Sequence, residues 1–251
     1  MKQLIVKKEW FTYIFITIIG LIIADLLTKN ITNSKLVIHL FNTVTEKNIP
    51  TLFSTLQLIF SGILLWSIFK LKSIQESTLK TYWKALAIIF YFLAFDEWFT
   101  VHDSIGKPFA TFFGNTGNLF GWTLLYIIIM TIFFIWSIKF LLKLPKKTAL
   151  LFILSGGLFL TGAIGFEILA KEAVQSALHL QLTPLQINMI GLIEESLEML
   201  SIFLFNVTLF NYYQKIAVTK KLILPSKVMF ICFLFCIIDT TMTYIFNKNI
   251  L

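Results

Sequence analysis

The sequence predicts an all-α fold: a polytopic transmembrane helical bundle of seven spans, built as a single integral membrane domain over residues 1–251. Three observations predict it. Apolar windows of about 18–25 residues, the length a helix needs to cross a bilayer, recur along the chain. Only 14% of the residues are charged, against about 25% in a soluble domain. The basic residues concentrate in alternate connections between the windows. With 57% hydrophobic residues, the composition excludes a disordered chain and a nucleic-acid partner, and argues against a soluble enzyme.

The spans are expected near 10–28, 51–69, 82–103, 118–142, 148–170, 185–211 and 222–246. The first has no small-residue cleavage site after it, so it reads as a retained helix rather than a signal peptide. Pro50, Pro184 and Pro225 sit at or just inside predicted helix starts, where the missing N–H costs nothing. The run Gly114-Asn115-Thr116-Gly117-Asn118 is a turn ahead of the fourth span. Between the first two spans, Leu36, Val37, Ile38, Leu40 and Phe41 form a short segment that could lie in the interface. Residues 171–184 could do the same.

All 21 basic residues are lysine, so bidentate arginine recognition of phosphate or carboxylate is not available. With the N-terminus cytoplasmic, the tail and the 2–3, 4–5 and 6–7 connections hold 15 of the 21 lysines. This satisfies the positive-inside tendency and predicts N-terminus in, C-terminus out. The expected location is the inner membrane of a bacterium, with membrane lipid as a partner.

The same topology sorts the 13 acids. Glu9 and Glu76 lie on the lysine-rich side. Asp25, Glu46, Asp96, Glu97, Asp103, Glu167, Glu172, Glu194, Glu195, Glu198 and Asp239 all fall in outer half-spans or outer loops. A charge at mid-span costs on the order of 2.5–3.5 kcal/mol on insertion scales. Several at one depth must face protein or water, pair with cations, or share protons. Asp25, at a span end, is expected to be a solvated helix terminus.

The third span carries Asp96-Glu97-Trp98-Phe99-Thr100-Val101-His102-Asp103. On an ideal helix, at about 100° per residue, Asp96, Thr100 and Asp103 share a face while Glu97 and His102 diverge. Either the helix unwinds near Ser104 and Gly106, or His102 plays a supporting role. The sixth span carries Glu194-Glu195-Ser196-Leu197-Glu198, with all three glutamates within an arc of about 100°. In an apolar helix such a stripe needs a cation or a retained proton. Glu167 follows Gly156, Gly157, Gly162 and Gly165, small residues that permit close helix approach; pairing with Lys171 one turn on is its ordinary alternative. Asp239, with Cys232 and Cys236 on one face of the seventh span, completes the set. His39 and His179 are expected at the surface.

No phosphate-binding glycine loop, G-x-S-x-G, H-E-x-x-H or H-x3-H pair occurs, and their chemistries are set aside. The stretches Ala94-Phe95-Asp96-Glu97-x4-His102-Asp103 and Glu194-Glu195-x2-Glu198-Met199 resemble an uncharacterised group of bacterial multi-pass membrane proteins with a DE-x4-H[ED] helix and a later EE-x2-E helix. The resemblance covers two short stretches and implies that the clusters belong together, without an activity.

Three functions remain open from sequence. In the first, Asp96, His102, Asp103, Glu167, Glu194, Glu198 and Asp239 supply ligands to a divalent metal ion (Mg, Mn, Ca or Zn), with Glu97 or Glu195 as catalytic base. The protein is then a metal-dependent hydrolase acting on a lipid or lipid-linked substrate. In the second, the acids serve a cation or proton-coupled channel or transporter. In the third, they fix the packing of a non-catalytic membrane subunit. A homo-oligomer that shares the site among copies is compatible with each.

Overall fold

The computed structural model describes residues 4–75, 77–102, 104–105, 108, 112, 122–170, 172–217 and 223–224. In chain order these form α1 (Trp10–Ile31), the short α2 (Lys35–Phe41), α3 (Ile49–Ile74), α4 (Lys80–Phe99), α5 (Trp122–Leu142) and α6 (Lys146–Leu160). A π-helical segment, Thr161–Phe166, continues α6 into α7 (Glu167–Ala170); α8 (Glu172–Ala177) and α9 (Pro184–Ile216) follow. The fold is helical, as composition and periodicity require. A minimal antiparallel pair, Leu4–Ile5 with Ile223–Leu224, is the one addition.

Four segments are long and apolar enough to cross a membrane: Trp10–Ile31, Ile49–Ile74, Thr123–Leu142 and Lys146–Ala170. α4 and α9 have the length, 20 and 33 residues, but carry more charged and polar side chains. Those two helices bear most of the mid-span acids. The predicted seventh span, 222–246, lies outside the described residues except at its start. There Ile223 and Leu224 are extended and pair with Ile5 and Leu4. Residues 118–121 also lie outside the described residues.

Helix starts follow their local chemistry. Asn48 precedes α3 and accepts the Thr51 N–H through its side chain, with Pro50 in the first turn. α9 opens on a capping box between Thr183 and Gln186, with Pro184 as its first residue. Both devices satisfy backbone N–H groups that a helix start leaves orphaned. The interfacial segment predicted from Leu36–Phe41 is α2, and residues 171–184 contain α8.

The long helices run alternately up and down, and their lysine-bearing ends meet in an aromatic core. Trp83, fully buried, stacks on Tyr212 at 5.1 Å and takes the edge of Phe140 at 4.9 Å. Phe11 meets Phe210 at 5.1 Å, and Phe90 stacks on Phe205 at 4.7 Å. Leu64, Leu65, Ile68 and Leu209 fill the spaces between. α3 and α4 form a closely packed helical hairpin: a Cβ at Gly62 would stand 2.6 Å from the Tyr91 ring, so a larger residue there would have to displace that ring. The aromatic core fills much of the lysine-bearing end, where a cavity of about 560 Å³ remains between α1 and α9, lined by Phe11, Phe15, Phe203 and Phe210, and the acids lie toward the other end.

Candidate functional site

The site begins where α4 stops. Thr100 adopts a left-handed conformation (φ 50°) immediately after Phe99, uncommon for a β-branched residue. The chain is helical again at Val101 and His102. The predicted span to 103 is therefore corrected: α4 ends at Phe99, four residues earlier. The face expected for Asp96 and Thr100 does not survive this break, and Asp103, its third member, lies outside the described residues. The sequence allowed for unwinding near Ser104 and Gly106; the break lies instead at Thr100, with a specific result. It folds His102 back onto Asp96.

Asp96 is 6% exposed and serves as a hub. Its Oδ1 accepts the His102 backbone N–H at 2.8 Å and lies 3.3 Å from His102 Nδ1. Its Oδ2 accepts the Tyr126 hydroxyl of α5 at 2.9 Å. One carboxylate thus satisfies the restarted helix, orients an imidazole and ties α5 to α4. With Nδ1 donating to the carboxylate, the basic electron pair of a neutral His102 is on Nε2.

α9 supplies the second wall. Glu194, Glu195 and Glu198 lie in its N-terminal half, half-buried. Glu198 stands within electrostatic reach of Glu97, Glu194, Glu46 and Glu167. Glu195 is within reach of Glu198, Glu97, Glu46 and Glu194, and Glu97 of Glu46, His102 and Asp96. Glu97 and His102, divergent on an ideal helix, are therefore neighbours here.

Two glycines admit the flanking elements. A Cβ at Gly162 would lie 3.0 Å from the Glu194 carbonyl oxygen and 3.2 Å from Glu198 Cγ. Gly162 sits in the π-helical segment, a geometry that recurs at functional sites, and the following Glu167 opens α7 beside the same glutamates. A Cβ at Gly191 would lie 2.9 Å from Val44, so this glycine seats the 42–48 loop on α9. Gly162→Ala is expected to cost about 1–3 kcal/mol through overpacking, read as a lower midpoint in thermal unfolding in detergent. Gly20→Ala, with nothing within 4 Å, is expected to be neutral or stabilising by about 0.5–1 kcal/mol.

The 42–48 loop brings Glu46, which the sequence reading placed in an outer loop and left out of the site. Asn48 holds the loop by donating to the Asn42 and Thr45 carbonyls while accepting from Thr51. Asp25 holds it from α1: its Oδ1 accepts the Thr43 N–H at 3.2 Å, and Lys29 pairs with it at 2.9 Å. Asp25 is 1% exposed, which corrects the expectation of a solvated helix end. An N–H from a neighbouring segment and a lysine one turn on stabilise its burial.

The structure thus brings together Asp96, Glu97, His102, Glu167, Glu194, Glu195 and Glu198, and adds Glu46 and Tyr126. Asp103 and Asp239, with Cys232 and Cys236, lie outside the described residues. Among the described residues no three His, Cys, Asp or Glu side chains converge closely enough to ligate one ion as they stand. His179 is exposed, with φ 54° after α8, as expected of a surface residue. His39 is half-buried on α2, its Nδ1 3.4 Å from Thr45 Oγ1.

No curated protein and no solved structure matches the chain. A family model described as a domain of unknown function, DUF8692, matches residues 13–212. That match runs from α1 to the lysine-bearing end of α9 and so contains the hairpin, the His102 turn and every acid of the described site. The chain belongs to the DUF8692 family.

Proposed function

We propose that the protein is a seven-span membrane protein, N-terminus in and C-terminus out, whose outward-facing carboxylate site binds a hard divalent cation and hydrolyses a lipid or lipid-linked substrate. The host membrane in this reading is a bacterial inner membrane, and the resemblance of its two acid motifs to bacterial multi-pass proteins agrees with that. The observation that carries the reading is one-sidedness. Carboxylates and an oriented imidazole gather toward one end of the bundle, while the described residues of the other end pack into an aromatic core. A site confined to one end suits binding and chemistry better than passage.

Oxygen donors without thiolates favour Mg, Mn or Ca over Zn. Glu97, Glu194, Glu195 and Glu198, with Glu46 and Glu167 at the margin, are the donors in this reading. Asp96 was grouped with the ligands from sequence; both of its oxygens are engaged by His102 and Tyr126, so it positions His102 instead. His102 is then the general base for water, held through Nδ1 as a catalytic imidazole must be. Asp103 and Asp239 keep their place as further ligands.

Elemental analysis and Mn2+ titration of protein purified in detergent test the reading, together with hydrolysis of a bacterial lipid extract. Wild type is expected to hold a divalent ion. Glu194→Gln should bind it on the order of tenfold more weakly, whereas Asp96→Asn should keep the ion and lose hydrolysis. A metal-free wild type, indistinguishable from both variants, would overturn the reading. Cation flux in liposomes would replace it with transport.

A further inference from the structure

Among the described residues, several buried polar side-chain atoms have no hydrogen-bond partner, and Gln57 is the side chain that leaves two such atoms, a donor and an acceptor, unpaired. It is 5% exposed, and neither its amide nitrogen nor its amide oxygen has a hydrogen-bond partner among the described residues. Its backbone, by contrast, is fully engaged. The Gln57 carbonyl accepts Asn206 Nδ2 at 3.1 Å and the Ser61 hydroxyl at 3.1 Å, and Ser61 also donates to Asn206 Oδ1 at 2.8 Å. That triad locks α3 to α9 and fixes which way the Gln57 helix face points. A buried amide left unpaired is costly, and such a group in a native fold calls for a ligand or another role.

Depth and direction both lead to the acid site. Leu58 packs with Ala94 of α4 and Ile202 of α9. Ala94 is three residues from Glu97 and Ile202 four from Glu198, so Gln57, next to Leu58, sits at a depth about one helical turn from the level of both carboxylates. Side chains on a helix lean toward its N-terminus. For Gln57 on α3 that is the acid-bearing end. Toward the other end, the Ser61 and Asn206 side chains are already bonded to each other and to the Gln57 carbonyl, and Leu64, Leu65 and Ile68 beyond them are apolar.

We infer that Gln57 is a cation ligand: its amide oxygen forms the floor of the carboxylate site and donates, with Glu97 and Glu198, to a hard divalent ion. The inference rests on the cation-binding reading above and deepens it. Hard cations take six or more oxygen donors, amide carbonyls included, and a neutral donor adds coordination without adding to the repulsion among the glutamates. The same assignment explains why the position is polar at all.

Mn2+ titration and thermal unfolding of the metal-free protein in detergent, on wild type, Gln57→Leu and Gln57→Glu, test it. Gln57→Leu is expected to weaken Mn2+ binding on the order of tenfold. Its metal-free form should melt no lower than wild type and up to about 2–4 °C higher, because an unpaired amide has gone. Gln57→Glu, which keeps an oxygen at the position, should retain binding. Gln57→Leu that binds Mn2+ as wild type does overturns this assignment alone and leaves the carboxylate site standing. Lower melting and lost binding in both variants mark Gln57 as a packing residue and overturn it too. A wild type that binds no Mn2+ overturns the cation reading itself.

Discussion

Asp25→Ala is expected to destabilise the protein by about 3–5 kcal/mol, the usual cost of removing one partner from a buried ion pair. The carboxylate is 1% exposed, while Lys29 is about a quarter exposed, so a solvated lysine recovers part of its loss. The Thr43 N–H does not recover in the same way. It donates to Asp25 Oδ1 inside a loop where the Asn42 side chain and carbonyl are already committed to Val44 and Asn48. Asp25→Asn keeps an oxygen for that N–H and loses the charge, so it should cost about 1–3 kcal/mol. Thermal unfolding in detergent checks both. Proteolysis adds a local readout: the 42–48 loop should become cleavable in the Ala variant under conditions that spare wild type. An Ala variant that melts with wild type would return Asp25 to the solvated end expected from sequence.

That mistaken expectation shows where sequence reading stops. The helical fold, the spans α1, α3 and α6 and the alternation of lysine-rich and acid-rich ends were all legible, because each follows from apolar periodicity and charge position within one segment. So were the starts of α3 and α9, since Pro50 and Pro184 act on their own helices. Asp25 looked like a terminus because its partner, Thr43, lies 18 residues away across a loop. Helix capping of that kind is tertiary, and no local pattern announces it.

The site divides the same way. Grouping Asp96, Glu97 and His102 with Glu194, Glu195 and Glu198 required only depth, and depth can be counted from span ends. Their geometry required knowing that α4 breaks at Thr100. An ideal helix gives the wrong neighbours; the left-handed threonine makes Asp96 a hub for His102 and sets Glu97 beside it. Glu46 was visible as an outer acid, yet it enters the site only because Gly191 lets the 42–48 loop sit on α9. Gln57 had a faint signal, an amide four residues before Ser61 in an apolar run. Its meaning depends on Asn206, 149 residues later.

Trp83→Ala should be about as costly as Asp25→Ala, at about 3–5 kcal/mol, which for a chain of this size lowers the melting midpoint by roughly 2–4 °C per kcal/mol. Trp83 is fully buried between the stacked Tyr212 ring and the edges of Phe140 and Phe152. The surrounding rings belong to three different helices, α5, α6 and α9, and cannot close together into the gap. Trp83→Phe should cost far less, about 1–2 kcal/mol, because the indole Nε1 has no hydrogen-bond partner among the described residues and its removal forfeits only packing. The pair of variants therefore separates ring volume from polarity. It also bears on what the bundle is for. A cavity lined by aromatic and aliphatic side chains stays dry, so if this core merely seals a one-sided site, Trp83→Ala in liposomes should melt early and still pass no cations. Cation flux through that variant, abolished again by Glu198→Gln, would mean that the core is a gate and the carboxylates the mouth of a path.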